Sequence, residues 1–137
     1  MGNDLKVFAG QSNPRLAIGI CQSLGLDPGL IEFISFSNEN IKVKICENVR
    51  GCDVFFIQTS CPPVSDHLME LLIALDALKY ASARRITAVL PYYPYALADS
   101  KDEPRISVAG RLMADLITEA GADRILTMTL HSPQIMG

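Results

Sequence analysis

Much is missing from this sequence, and each absence excludes something. The four cysteines, Cys21, Cys46, Cys52 and Cys61, form no C-x-x-C pair and have no histidine at zinc-finger spacing. That excludes a zinc module and a disulfide framework and leaves free thiols of a reducing compartment. The N-terminal Met-Gly-Asn-Asp-Leu-Lys has no signal-peptide core, and Lys6 stands where a myristoylation signal needs Ser or Thr. The longest apolar run around the central helix, Leu71 to Leu75, is far too short to span a bilayer. Twelve Lys and Arg against fifteen Asp and Glu give a net charge of −3 with no basic stripe, so nucleic acid is not an expected partner. No Walker loop, G-x-G-x-x-G, G-x-S-x-G or H-E-x-x-H is present. What is left is a cytoplasmic globular chain, 1–137, long enough for one domain with a sizeable core.

What is present alternates strand and helix. Leu5 to Ala9 reads as a strand. Asn13 reads as the N-cap of a helix with Pro14 at its first position, and Gly25 as its left-handed stop. Ile31 to Phe36 is a second strand. Ile41-Lys-Val-Lys-Ile45 alternates apolar with charged, which predicts a half-exposed strand and a candidate antiparallel edge. Val54 to Ile57 is continuously apolar, as a doubly buried strand is. The helix from Asp66 to about Tyr80, with Ser65 as its cap, is apolar on nearly every side. One face is expected to cover the sheet and the other to need a second layer or a partner chain, homo-oligomerisation being the simpler account.

Ile86 to Leu90 is a further strand, expected to stop at Pro91. The stretch Tyr92-Tyr-Pro-Tyr95 to Arg105 follows, a loop of aromatics and charges. Such a loop at the carboxyl end of a strand is where open α/β sheets bind ligands; it also fits an ordinary surface loop. Ser107 can cap a last helix, closed by Gly121, and Arg124 to Met128 is the last strand. The pattern predicts a three-layer α/β sandwich with a mainly parallel sheet. A receiver domain shares that architecture, but Ala9-Gly-Gln-Ser12 offers no carboxylate cluster. His67, in the first turn of the central helix, reads as exposed or capped. His131 can be aimed from the last strand into the same crevice as the central loop. Phe36 is core or a stacking platform for a base.

Phe36-Ser-Asn38, Val49-Arg-Gly51-x-Asp53-Val, Met69-Glu-Leu-Leu-Ile73, Ala81-Ser-Ala-x-Arg85-Ile-Thr-Ala-Val89, Pro94-Tyr-Ala96, Ala120-Gly-Ala-Asp123 and Leu130-His131 occur in that order along the chain. Together they resemble the N-terminal domain of ribose-phosphate diphosphokinase (phosphoribosyl pyrophosphate synthetase). The resemblance implies a phosphoribosyltransferase-like topology and assembly as dimers within hexamers. It implies transfer of the diphosphoryl group of Mg-ATP to the C1 hydroxyl of ribose 5-phosphate. Carried over, Phe36 and Asn38 contact adenine, Asp99, Lys101 and Asp102 belong to the ATP loop, and His131 faces the metal. Four positions depart from the family pattern. Leu97 and Ala98 replace an Arg-Gln pair, Asn40 replaces a glutamate, and Thr129 replaces an acidic metal-side residue. Each lost charge-assisted contact costs about 1.5–3 kcal/mol.

The C-terminal domain that holds ribose 5-phosphate is absent from this sequence, and His131-Ser-Pro-Gln-Ile-Met-Gly137 reads as an interrupted loop. No catalytic residue is therefore expected in this chain, and alone it is expected to be inactive. Three readings stand: the ATP-side, oligomerising domain of a synthetase; a noncatalytic regulatory or assembly paralogue that joins itself or synthetase-type subunits; and a nucleotide-sensing module. The partner surface expected in the first two is the 66–80 helix region.

Overall fold

A computed structural model describes residues 4–92 and 109–129. Strand β1 (Leu5–Ala9) leads to helix α1 (Pro14–Leu24), then to β2 (Ile31–Ser35), β3 (Ile41–Ile45) and β4 (Asp53–Ile57). Helix α2 (Val64–Tyr80), β5 (Arg85–Tyr92), α3 (Ala109–Ala120) and β6 (Arg124–Thr129) complete the order. The main sheet runs β1-β4-β5-β6, and every neighbouring pair is parallel.

Local chemistry sets the ends of α1 as expected. The Asn13 side chain accepts a hydrogen bond from the Leu16 N–H at 3.2 Å, and Pro14 occupies the first turn. Gly25 takes φ 69°, so its own N–H reaches Gln22 O and that of Leu26 reaches Cys21 O at 2.9 Å. Helix α2 differs from expectation. It starts at Val64, and no side chain caps it; Pro63 lies at the cap, with Asp66 in the first turn to complement the helix dipole. The expected cap of α3, Ser107, lies outside the described residues.

Two further expectations are corrected. Strands β2 and β3 do form an antiparallel pair, with Phe33 opposite Val43, but as a separate two-stranded sheet rather than an edge of the main one. Ile31, Phe33, Val43 and Ile45 turn inward onto the main core, while Lys42 and Lys44 stay exposed. Strand β3 packs against α2. The second apolar face of α2 thus meets a second layer within the chain, one of the two coverings expected for it. Strand β5 also continues through Pro91 to Tyr92. Strand β4 has ended at Ile57, opposite Val89, so the missing N–H of Pro91 costs no ladder bond on that side.

Two cores result. Phe8, Phe56, Leu75, Leu78, Ile86 and Ile117 are buried between the sheet and α2 and α3, and Val7, Ile57, Ala17 and Cys21 between the sheet and α1. At the amino ends of the strands Arg85 meets Asp53 through Nη2–Oδ2 at 2.7 Å and Nε–Oδ1 at 3.3 Å. The Arg85 hydrogen bond holds the Asp53 carboxyl below the usual carboxylate range, against a smaller opposing effect of burial. A depressed folded pKa gives stability that is complete above the unfolded value of about 4 and is lost as pH falls through the folded one. Melting temperature is therefore expected to drop between pH 5 and acid more steeply in the unaltered chain than in Asp53→Asn. Equal slopes would show that the pair contributes nothing to acid stability.

Candidate functional site

The carboxyl ends of β1 and β4 open beside the amino end of α2, and the β2–β3 turn overhangs them. Between them lies an open groove of about 720 Å³, within the range of small-molecule sites. Its walls come from three places: Gln11 after β1; Pro63, Asp66, His67 and Glu70 from the start of α2; and Phe36, Glu39 and Asn40 from the hairpin turn.

The hairpin turn is tightly specified. Phe36 N–H donates to Asn40 O at 2.8 Å, and Glu39 N–H to Phe36 O at 2.9 Å. Asn38 Oδ1 accepts from Asn40 N–H at 3.1 Å, an Asx turn. Because β2 stops at Ser35, Phe36 leaves the sheet and remains 49% exposed, with its ring on the groove. Of the sequence-derived adenine positions, Phe36 and Asn40 line the groove, whereas Asn38 closes the turn beneath them. Leu97, Ala98, Asp99, Lys101, Asp102 and His131 lie outside the described residues. Thr129 ends β6, at the same carboxyl edge of the sheet.

Beneath the groove lies a polar network that the sequence reading passed over. Gln58 is buried at 2% exposure immediately after β4, and Glu70 at 6% on α2. Gln58 Nε2 donates to Glu70 Oε1 and to His67 O, each at 3.0 Å. Gln58 Oε1 accepts from the Ser12 N–H at 3.2 Å and from the Ser12 hydroxyl. Ser12 Oγ in turn accepts from Thr59 N–H at 2.8 Å, and Glu70 Oε1 from Gln11 N–H at 2.7 Å. His67 is half-buried and its Nδ1 lies 2.8 Å from Cys61 O, which fixes the proton on that nitrogen. The available signal was Glu70 set among the apolar residues from Leu68 to Leu75, and a polar residue directly after a buried strand.

All four cysteines are free, as their spacing implied. Among the described residues no three His, Cys, Asp or Glu side chains come together as a metal site. Nor is any described helix long and apolar enough to cross a membrane.

Comparison with known proteins matches this architecture throughout. The crystal structure of phosphoribosylpyrophosphate synthetase from Mycobacterium smegmatis superposes with a TM-score of 0.95 at 46% identity, over 98% of this chain and 45% of that one. The fold is thus of the phosphoribosyltransferase type. The family described as the N-terminal domain of ribose phosphate pyrophosphokinase matches residues 5–121. Ribose-phosphate pyrophosphokinase of Deinococcus radiodurans is 58% identical over 97% of this chain, and the chloroplastic form 5 of Arabidopsis thaliana 52% identical over 97%. The chain belongs to the ribose-phosphate pyrophosphokinase family and corresponds to its N-terminal domain. It spans 42% of the Deinococcus protein and 34% of the Arabidopsis one.

Proposed function

We propose that this chain is the ATP-side, oligomerising domain of a ribose-phosphate diphosphokinase. The family reaction passes the diphosphoryl group of Mg-ATP to ribose 5-phosphate, leaving AMP and phosphoribosyl diphosphate for nucleotide biosynthesis. The observation that carries this reading is the groove under the hairpin turn. An exposed aromatic ring beside the side-chain amide of Asn40 and the Gln11 segment is what a flat, hydrogen-bonding base requires. Electrostatics support the same orientation. Glu39, Asp66 and Glu70 all face the groove, so a triphosphate is repelled there while a neutral base is not. The base end occupies the groove, and the phosphates extend away from it.

Magnesium, when bound, supplies charge neutralisation at the triphosphate. The described residues offer no cluster to hold it; His131 is the metal-side residue by resemblance and lies outside them. Self-association, or association with synthetase-type subunits, takes place through the 66–80 region, where Tyr80 is 81% exposed.

Calorimetric titration of Mg-ATP into the purified chain tests the proposal. The unaltered chain is expected to bind weakly. The Leu97→Arg, Ala98→Gln double variant is expected to bind about 10- to 100-fold more tightly through the restored charge-assisted contacts. Phe36→Ala is expected to bind neither ATP nor AMP measurably. Absence of heat from both the unaltered chain and the double variant at millimolar ATP would remove the groove as a nucleotide site.

A further inference from the structure

The groove has a wall built from a buried charge. Glu70 is more than nine-tenths buried, yet neither of the ion pairs among the described residues, Lys6–Glu47 and Arg85–Asp53, includes it. Its carboxylate is compensated by N–H donors instead: the Gln11 backbone at 2.7 Å and the Gln58 amide at 3.0 Å, both on Oε1. For stability alone such a residue is a poor choice, since a well-packed apolar side chain in its place is commonly neutral or better. Its neighbours Leu71 and Ala74 are of that apolar kind.

What Glu70 does achieve is spatial. Its bonds join α2 to the segment after β1 and to the end of β4, and Gln58 passes the connection on to Ser12 and Thr59. Gln11, the residue whose N–H it holds, lines the groove opposite Phe36 and Asn40. Gly10 completes the arrangement, because a Cβ there would stand 2.2 Å from Gln58 Oε1 and push the amide out of register.

We infer that Glu70 is a positioning residue for the groove, fixing the Gln11–Ser12 segment so that the wall facing Phe36 and Asn40 stands at a set distance before any ligand arrives. This deepens the nucleotide reading and rests on it for the identity of the ligand. The experiment compares Glu70→Ala, Glu70→Gln and, as a control, Asp76→Asn on the exposed side of α2, using amide hydrogen exchange and Mg-ATP titration of the whole chain. In Glu70→Ala, exchange at Gln11 is expected to quicken by about tenfold or more. Exchange at Phe56 in the core is expected to stay within about threefold of the unaltered chain. ATP affinity is expected to fall about tenfold or more, with the entropy of binding becoming more unfavourable. Glu70→Gln keeps an acceptor oxygen and is expected to restore most of both properties; the control changes neither.

Gln11 protection that survives in Glu70→Ala overturns the inference, and so does an unchanged affinity in a variant whose protection is lost. Equal acceleration at Gln11 and Phe56 also overturns it, by reducing Glu70 to a general stabiliser. If the unaltered chain binds no ATP, the nucleotide reading is what fails. The positioning role is then decided by the exchange data alone, in which local loss with rescue by glutamine supports it.

Discussion

Phe56→Ala is expected to lower the unfolding free energy by about 3–5 kcal/mol, a large fraction of the roughly 5–15 kcal/mol available to a domain of this kind. Phe56 has no exposed surface and sits on the interior strand β4, flanked in register by Phe8 on β1 and Ala88 on β5. Its ring faces the core that α2 closes with Leu71, Leu75 and Leu78. Strands fix its neighbours on both sides, so the structure has little freedom to collapse into the space the ring leaves. The cost then includes a cavity contribution as well as lost transfer energy. Urea unfolding measures it as a lowered midpoint with an unchanged slope. A loss under about 1 kcal/mol would mean the ring is not part of this core.

Gly29→Ala acts in the opposite sense, by overfilling, and is expected to cost about 1–3 kcal/mol or more. A Cβ at Gly29 would stand 2.4 Å from Cε1 of Phe8, a ring with no exposed surface and so no room to retreat. The loop is equally held. Gly29 N–H donates to Val7 O at 2.7 Å and Leu30 N–H to Glu47 Oε2 at 2.6 Å. Gly19 in α1 is the matched control: a Cβ there meets nothing within 4 Å, so Gly19→Ala is expected to gain about 0.5–1 kcal/mol. The opposite signs of the two changes separate a packing effect from a general effect of replacing glycine. Phe8→Leu in the Gly29→Ala background is expected to recover part of the loss, and no recovery would place the strain elsewhere.

The elements were legible where local chemistry decides them. Asn13, Pro14 and Gly25 mark α1 in the sequence because caps and a left-handed stop need only neighbours a few residues away. The alternation of Ile41 to Ile45 shows that one face is dry. It carries no information on what dries it, and α2 rather than the main sheet turned out to be that partner. Pro91 misled for a related reason. Its effect depends on whether a neighbouring strand still runs beside it, and β4 had already ended.

In the candidate site, Phe36 could be singled out because it sits in a motif shared with the family, and Asn40 because it departs from that pattern where the family has glutamate. Gln58 could not, and Glu70, although inside the shared Met69-Glu-Leu-Leu-Ile73 motif, carried no sign there of its buried role. A polar side chain inside an apolar segment is equally compatible with a solvent-facing position and with a buried, fully bonded one. The choice is made by Gln11 and Ser12, some 46 to 59 residues away in the chain. Asn38, which the family pattern marks as a contact, accepts the Asn40 N–H through its side chain in an Asx turn.

The hairpin forms a sheet of its own, and this gives the groove two unlike sides. The side bearing Gln11 is tied by directional bonds to a buried carboxylate, whose geometry tolerates little displacement. The side bearing Phe36 is carried on strands that meet α2 through an apolar seam, where contact is non-directional and sliding by fractions of an ångström is inexpensive. Width and selectivity are thereby separable in sequence. Changing side-chain bulk at Val43 or Phe33 is expected to move the Phe36 wall without altering any residue that lines the groove. Under the proposed base-binding role, variants altered only in that seam are expected to differ in which flat ring they take.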